Sequence, residues 1–229
     1  MDKQVDILII GAGISGIGVA AHLSQNCPQR SFEIIERRQS FGGTWDLFQY
    51  PGIRSDSDMS TFGYNFKPWK KTNVLADGAS IKGYLAEVIQ EKALHSKIHF
   101  QHRVLSANYD SQTRKWTLRI ENAVQQIETW VANFVLGCTG YYNYDQGFQP
   151  DFPNQQAFKG TFIHPQHWPE NLDYRGKKVL IIGSGATAIT LVPAMSKGGA
   201  AHVTMLQRSP TYIASVPAMD FVYQQMRKV

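Results

Sequence analysis

Cysteine is almost missing from this chain: among 229 residues there are two, Cys27 and Cys138, far apart and with no CxxC pair. A disulfide framework and a zinc site are therefore not indicated, and no metal is expected. The same scarcity argues against a disulfide-reducing flavoenzyme, whose chemistry needs a closely spaced redox pair. Long apolar runs are missing as well, since no stretch reaches the roughly 18 residues of a membrane-spanning helix. The apolar segment from Ile7 to Ala21 follows MDKQVD, with two acids against one lysine, and contains Gly11, Gly13, Gly16 and Gly18, so it does not read as a secretory leader. A reducing, cytoplasmic setting is the expectation. Positive charge exceeds negative by five, yet Lys67, Lys70 and Lys71 are its densest cluster. That pattern suits a solvated face or attraction for a phosphorylated cofactor, and no nucleic-acid partner is expected.

What is present begins with QVDILII, residues 4 to 10, a short apolar run fit for a strand buried on both faces. GAGISG follows at once, then a helix to about Asn26 and a second strand, SFEIIE, from 31 to 36. In this strand, glycine turn, helix, strand unit, Gly11 makes the turn, Gly13 lets a pyrophosphate approach the backbone and Gly16 permits close helix packing. The helix start, with Ser15 in its first turn, would face the phosphates with unpaired N–H groups and a positive dipole end. Glu36 stands twenty residues beyond Gly16, the spacing of a carboxylate that binds a ribose hydroxyl.

The pattern recurs. KKVLIIG predicts a strand at 177 to 182, GSGATA occupies 183 to 188, a helix runs to about Lys197 and a strand from 202 to 207 ends in Gln207 and Arg208. Gly183, Ser184, Gly185, Ala186, Thr187 and Ala188 form the second phosphate loop. Arg208 lies twenty residues after Ala188, where the first unit has its acid. A carboxylate there would repel a 2′-phosphate, whereas a guanidinium binds one through charge-assisted hydrogen bonds. Two sites of opposite charge preference predict FAD at the first and NADPH at the second.

Between the two units, residues 37 to 78 lose periodicity, which inside a compact domain usually marks function. A helix follows with Ile81, Tyr84, Leu85, Val88 and Ile89 on one face and Ser80 as its expected N-cap. Strands are expected near 98 to 109, 115 to 121, 124 to 130 and 133 to 140. Residues 141 to 176, rich in aromatics and proline, read as an ordered interdomain connection.

Two stretches carry a family resemblance. Phe158-x-Gly160-x-x-x-His164-x-x-x-Trp168-Pro169 resembles the signature of Baeyer-Villiger monooxygenases, a branch of the class B flavoprotein monooxygenases. GGTWDLFQYPGIRSDSD, residues 42 to 58, resembles the flavin-side motif of the same enzymes, and most resembles the ethionamide-activating subgroup. The resemblance implies an α/β, two-dinucleotide-binding flavoprotein with a Rossmann-type FAD domain (1 to 145), a signature-bearing linker (146 to 176) and the start of a Rossmann-type NADP domain (177 to 229). It implies that Gly11, Gly13, Ser15, Gly16 and Glu36, then Thr44, Trp45, Asp46, Leu47 and Asp56, contact FAD. Val104 would offer backbone bonds to adenine, and Thr139 with Gly140 resembles the motif that closes the flavin sheet. Arg54, Ser55 and Asp56 would lie toward the nicotinamide, Asp56 orienting a catalytic Arg, and His164 would couple the linker to domain movement.

In that family FAD is reduced by NADPH, reacts with O2 to a C4a-peroxyflavin, and oxygenates a ketone, thioether or amine. Members run well beyond this length, and their essential Arg lies beyond residue 229. The chain ends in DFVYQQMRKV, an expected helix without a stop signal, and a longer polypeptide or a second copy is expected to complete the second sheet. Alternatives that remain are a non-catalytic nucleotide-binding module and an N- or S-oxygenating flavin monooxygenase.

Overall fold

The computed structural model describes residues 2–71, 73–215 and 217–219. The expected terminal helix, 220 to 229, lies outside the described residues. The chain separates into two compact units: the first holds Met1–Asp46 and Ile81–Tyr142, the second Leu47–Ser80 and the described residues from Asn143 onward. The 47 to 80 stretch, read from sequence as part of the first nucleotide domain, thus groups with the second unit.

In the first unit, β1 (Lys3–Ile10) leads through α1 (Ile14–Asn26) to β2 (Phe32–Ile35). Leu8 and Ile9 are fully buried on consecutive, opposite-facing positions, so β1 is covered on both faces. The six-stranded sheet has the order β3-β2-β1-β6-β5-β4, with β3 (Ile98–His99), β4 (Arg103–Asp110), β5 (Lys115–Glu121) and β6 (Ile127–Gly137). It is parallel from β3 to β6 and antiparallel from β6 to β4. Val5, Leu8, Ile35, Leu118, Ile120 and Trp130 form one buried cluster that unites both halves. α1 packs on β1 and β2, and Ile81, Tyr84, Leu85, Val88 and Ile89 of α4 (Gly78–Glu91) are all buried, as their spacing predicts.

Three local expectations change. The strands expected at 124 to 130 and 133 to 140 are one strand, β6, which pairs with β5 over residues 127 to 132 and with β1 over residues 130 to 137. No glycine or proline interrupts it. It starts only at Ile127 because the Asn122 side chain accepts the Val124 and Gln126 N–H groups and Gln125 adopts a left-handed conformation (φ 62°). The strand expected at 98 to 109 is broken into β3 and β4 by a turn with Gln101 at φ 56°. Asp77, rather than Ser80, caps α4: its carboxylate accepts the Ser80 N–H at 2.7 Å and the Ser80 hydroxyl at 2.8 Å.

The second unit contains α2 (Thr44–Leu47) only at its last residue, then α3 (Met59–Phe62), capped by Asp58 accepting the Thr61 N–H. Its sheet, among the described residues, is the parallel pair β7 (Lys178–Ile182) and β8 (His202–Leu206), joined by α5 (Ala186–Lys197). Ile181, Ala188, Leu191 and Met195 pack together with Leu47, Phe48 and Tyr50. The opposite face of the pair leaves Leu180, Ile182 and Leu206 about half exposed.

Candidate dinucleotide sites

The first glycine loop is held from several sides. Gly11 donates its N–H to Ile35 O at 2.8 Å, and Cys138 donates to Ile10 O at 2.8 Å, so the loop is fastened to the ends of β2 and β6. Gly11 has φ 108°, and a Cβ there would stand 2.4 Å from Cys138 O. No other residue fits without moving backbone. A Cβ on Gly16 would stand 1.9 Å from Gly11 O, which is how closely α1 approaches the turn. Gly13 precedes α1 with extended backbone, no side chain caps the helix and its first turn holds no acid. That is the form of a helix start that accepts an anion.

Glu36 follows β2 and is 5% exposed. Its Oε2 accepts the Ala12 N–H and its Oε1 the Arg38 N–H, each at 2.8 Å, so one carboxylate orients both the glycine loop and the turn after β2. The pair Gly42 and Gly43 then brings in the 42 to 58 motif: Gly42 donates to Ala12 O at 3.0 Å, and Gly43 Cα would lie 3.6 Å from a Cβ on Gly13. Both glycines have positive φ, and Thr44, Trp45 and Asp46 begin α2 immediately after them. Asp46 is buried, with Arg38 on Oδ2 and Lys82 on Oδ1. Burial alone would push its carboxyl up, yet hydrogen bonds and charge from Lys82 and Arg38 hold it below the usual range. Val104 lies in the outermost strand beside a bulge. An open depression of about 400 Å³ between the end of β2 and the start of β4 is lined by Arg37, Arg38, Gln101 and Arg103. Ser15 and Thr139 are exposed.

The motif divides after Asp46. In the second unit, Gly52 (φ 85°) lies so close to α5 that a Cβ would stand 2.8 Å from Thr190 O and from Ala194 Cβ. Residues 53 to 59 then run back along 74 to 78, through Gly78 N–H to Ile53 O, Ser55 N–H to Ala76 O and Met59 N–H to Val74 O. Ser55 is buried and its hydroxyl donates to Ser57 O, while Arg54 and Asp56 are exposed on either side.

The second glycine loop is more open. Gly183 donates to Leu206 O at 2.8 Å and has φ 124°, but Cβ atoms on Gly183 or Gly185 would meet nothing within 4 Å. α5 starts at Ala186 and Thr187 with no side-chain cap and no acid in its first turn, and Ala188 is buried. Gln207 and Arg208 are exposed beyond β8. Thr211 donates to Ser184 Oγ at 2.7 Å, and Ser184 Oγ donates to Ser209 O at 3.3 Å, so the loop and the segment after Arg208 are joined.

The signature stretch is a folded strap. The Phe158 ring covers Gly160, where a Cβ would lie 2.5 Å from it, and the His164 ring covers Gly147. His164 Nδ1 accepts the Gln166 N–H at 3.2 Å, leaving Nε2 as the protonated nitrogen of the neutral ring. Trp168 packs on the α5 cluster. Buried Gln166 donates to Asn143 O at 2.7 Å and so anchors the strap. Neither Gln166 nor Lys82 stands out in the sequence, because their partners Asn143 and Asp46 are distant in the chain. The histidines, acids and cysteines form no metal-ligating group among the described residues.

Known proteins share this architecture. The chain is 76% identical, over its whole length, to a probable FAD-binding monooxygenase, AlmA, of Acinetobacter baylyi, and 54% identical to the FAD-containing monooxygenase EthA of Mycolicibacterium smegmatis. It spans 46% of the length of each, about half of these curated relatives. Among solved structures, a Rhodococcus cyclohexanone monooxygenase bound to NADP+ superposes with a TM-score of 0.82 at 26% identity, over 100% of this chain and 42% of that one. A steroid monooxygenase bound to NADP gives 0.80 at 28% identity, over 99% and 42%. Residues 2–225 match the family described as flavin-binding monooxygenase-like, and the chain belongs to that family.

Proposed function

We propose that this chain is the FAD- and NADPH-binding portion of a monooxygenase that places one oxygen atom from O2 on a ketone, in Baeyer-Villiger fashion, or on a sulfur or nitrogen centre. The reading rests on one observation above others: two glycine loops, each opening an uncapped helix, followed by Glu36 in one unit and exposed Arg208 in the other.

In the first unit, Gly11, Gly13 and Gly16 leave room for a pyrophosphate at the start of α1, with Ser15 in its first turn. Glu36 receives the ribose, and the arginine-lined depression beside Val104 suits the adenosine end. Thr44 and Trp45 continue the flavin contacts, and Thr139 closes the sheet beside Gly11. In the second unit, the loop from Gly183 to Ala188 receives the NADPH pyrophosphate, with Gln207 and Arg208 at the adenosine phosphate. Bound FAD supplies the redox and oxygen-activating chemistry. The protein's own contribution is orientation and charge: Asp56 positions a cationic group at the nicotinamide, and His164 with Gln166 sets the strap through which the units adjust. No helix among the described residues is long and apolar enough to cross a membrane. Cys27 and Cys138 are both free.

The test is direct. Purified protein should be yellow or take up added FAD, and NADPH oxidation should rise with a ketone or thioether and yield the matching ester or sulfoxide. Colourless protein that takes up no FAD contradicts the reading. A second reading, a nucleotide-binding module that needs further chain or a second copy before it turns over, is favoured by the half-exposed Leu180, Ile182 and Leu206 face. FAD uptake with no NADPH oxidation would select it.

A further inference from the structure

Lys82 lies on α4, outside every glycine motif, yet its ammonium meets Asp46 Oδ1 at 2.5 Å. The other oxygen, Oδ2, accepts from Arg38 Nε at 2.9 Å and Nη2 at 2.7 Å, and Nη2 also reaches Asp46 O at 3.2 Å. The Asp46 side chain is 8% exposed, against 27% for Arg38 and 35% for Lys82, so the carboxylate is the buried member and the cations shield it. One bond runs to the turn after β2, the other to α4. Asp46 itself closes the Gly42 turn: a Cβ on Gly42 would lie 3.2 Å from Asp46 Cβ and 3.6 Å from Lys82 Cγ.

The chain leaves the first unit after Asp46 and returns to it at Ile81. The Asp46 to Lys82 bond therefore joins the outgoing and returning chain at the root of the 47 to 80 excursion. Once formed, that bond lets the two ends of the loop hold each other in place, the bond and the packing around it offsetting the entropy cost of closing the loop. The end that matters is the Gly42 to Thr44 turn, already bonded to the first glycine loop through Ala12 O.

Resting on the reading of the first unit as the FAD site, we infer that Lys82 is a positioning residue for FAD: through Asp46 it locks the Gly42 to Thr44 turn at the distance from the glycine loop that the pyrophosphate requires. Charge and geometry make opposite demands at Asp46. Removing its negative charge leaves two cations near an anionic cofactor, which on charge alone favours binding. Removing the clasp lets the turn move, which opposes it.

The experiment is FAD titration, followed by flavin fluorescence quenching, of wild-type protein, K82M, D46N, the K82M/D46N pair and K82R. Losing a charge-assisted, partly buried bond should raise the FAD dissociation constant roughly tenfold in K82M and in D46N. The pair should be no weaker than the weaker single variant, because either change opens the same clasp. K82R should stay near wild type. Unchanged binding by K82M, tighter binding by D46N, or additive losses in the pair would overturn the inference. Should K82M fail to fold, D46N carries the same test through the sign of its effect. Wild-type protein that takes up no FAD would remove the FAD reading itself and this inference with it.

Discussion

The two glycine loops share a pattern and differ in what surrounds them. Around the first, backbone is packed so tightly that Gly11 and Gly16 have no room for a Cβ, with Cys138 O at 2.4 Å and Gly11 O at 1.9 Å. Around the second, Gly183 and Gly185 meet nothing within 4 Å, and the third motif position is already an alanine, Ala188, buried without conflict. The first loop is wedged between β2 and β6 and faced by the Gly42 turn, whereas the second closes a sheet that has two strands among the described residues and one face half exposed. A preformed cradle suits a cofactor that remains bound. An open loop with an exposed Arg208 suits one that exchanges.

The sharpest way to break this contrast is to put alanine at the third position of the first loop. G16A must displace the α1 start or the Gly11 carbonyl, so a loss on the order of 3 kcal/mol or more is expected in urea unfolding, with FAD binding lost alongside. A188G in the second loop should cost only about 1 kcal/mol, the helix-propensity difference plus a lost methyl contact. Equal costs would show that the two loops are packed alike.

R208A should weaken NADPH binding by about 1.5 to 3 kcal/mol through loss of a charge-assisted phosphate contact, and leave NADH nearly unchanged. Isothermal titration of both nucleotides checks it, and equal losses would make Arg208 structural.

Much of this was legible in the sequence because the informative signals are local. Each glycine loop follows its strand directly, and the acid and the arginine sit at fixed distances from their loops. The α4 face was legible from periodicity, and all five of its expected core residues are buried. Contacts between distant segments were not legible. Leu47, Phe48 and Tyr50 join the α5 core although their motif reads as flavin-side, because an apolar side chain does not announce which core it enters. The continuity of β6 is not legible either, because its antiparallel neighbour β5 covers residues 127 to 132 and its parallel neighbour β1 residues 130 to 137, so its two ends have different surroundings. The side chains of Lys82 and Gln166 bond to partners 36 and 23 positions away.

A smaller effect separates the sheet's outer half from the cofactor region. Glu128 accepts from Lys3, Asn122 and Trp130. Burial opposes ionisation there, but these bonds and the Lys3 charge hold its carboxyl down at about 2, below the ordinary 4.5. A carboxyl depressed in the folded state adds stability above its unfolded value, and that stability is lost as pH falls through the folded value. Wild-type protein should therefore lose more stability than E128Q as pH drops from 4.5 toward 2, measured by urea unfolding at each pH. FAD affinity at neutral pH should be the same in both. Parallel curves for the two proteins would show that the Glu128 bonds contribute nothing measurable.

Glu36 and Arg208 are expected to sort two dinucleotides between the two loops, which a crossed titration can establish. FAD and NADPH dissociation constants would be measured separately for wild-type protein, E36Q and R208A. E36Q should weaken FAD and leave NADPH unchanged, and R208A should do the reverse. Loss of both cofactors in either variant, or of the same cofactor in both, would contradict the assignment of one loop to each.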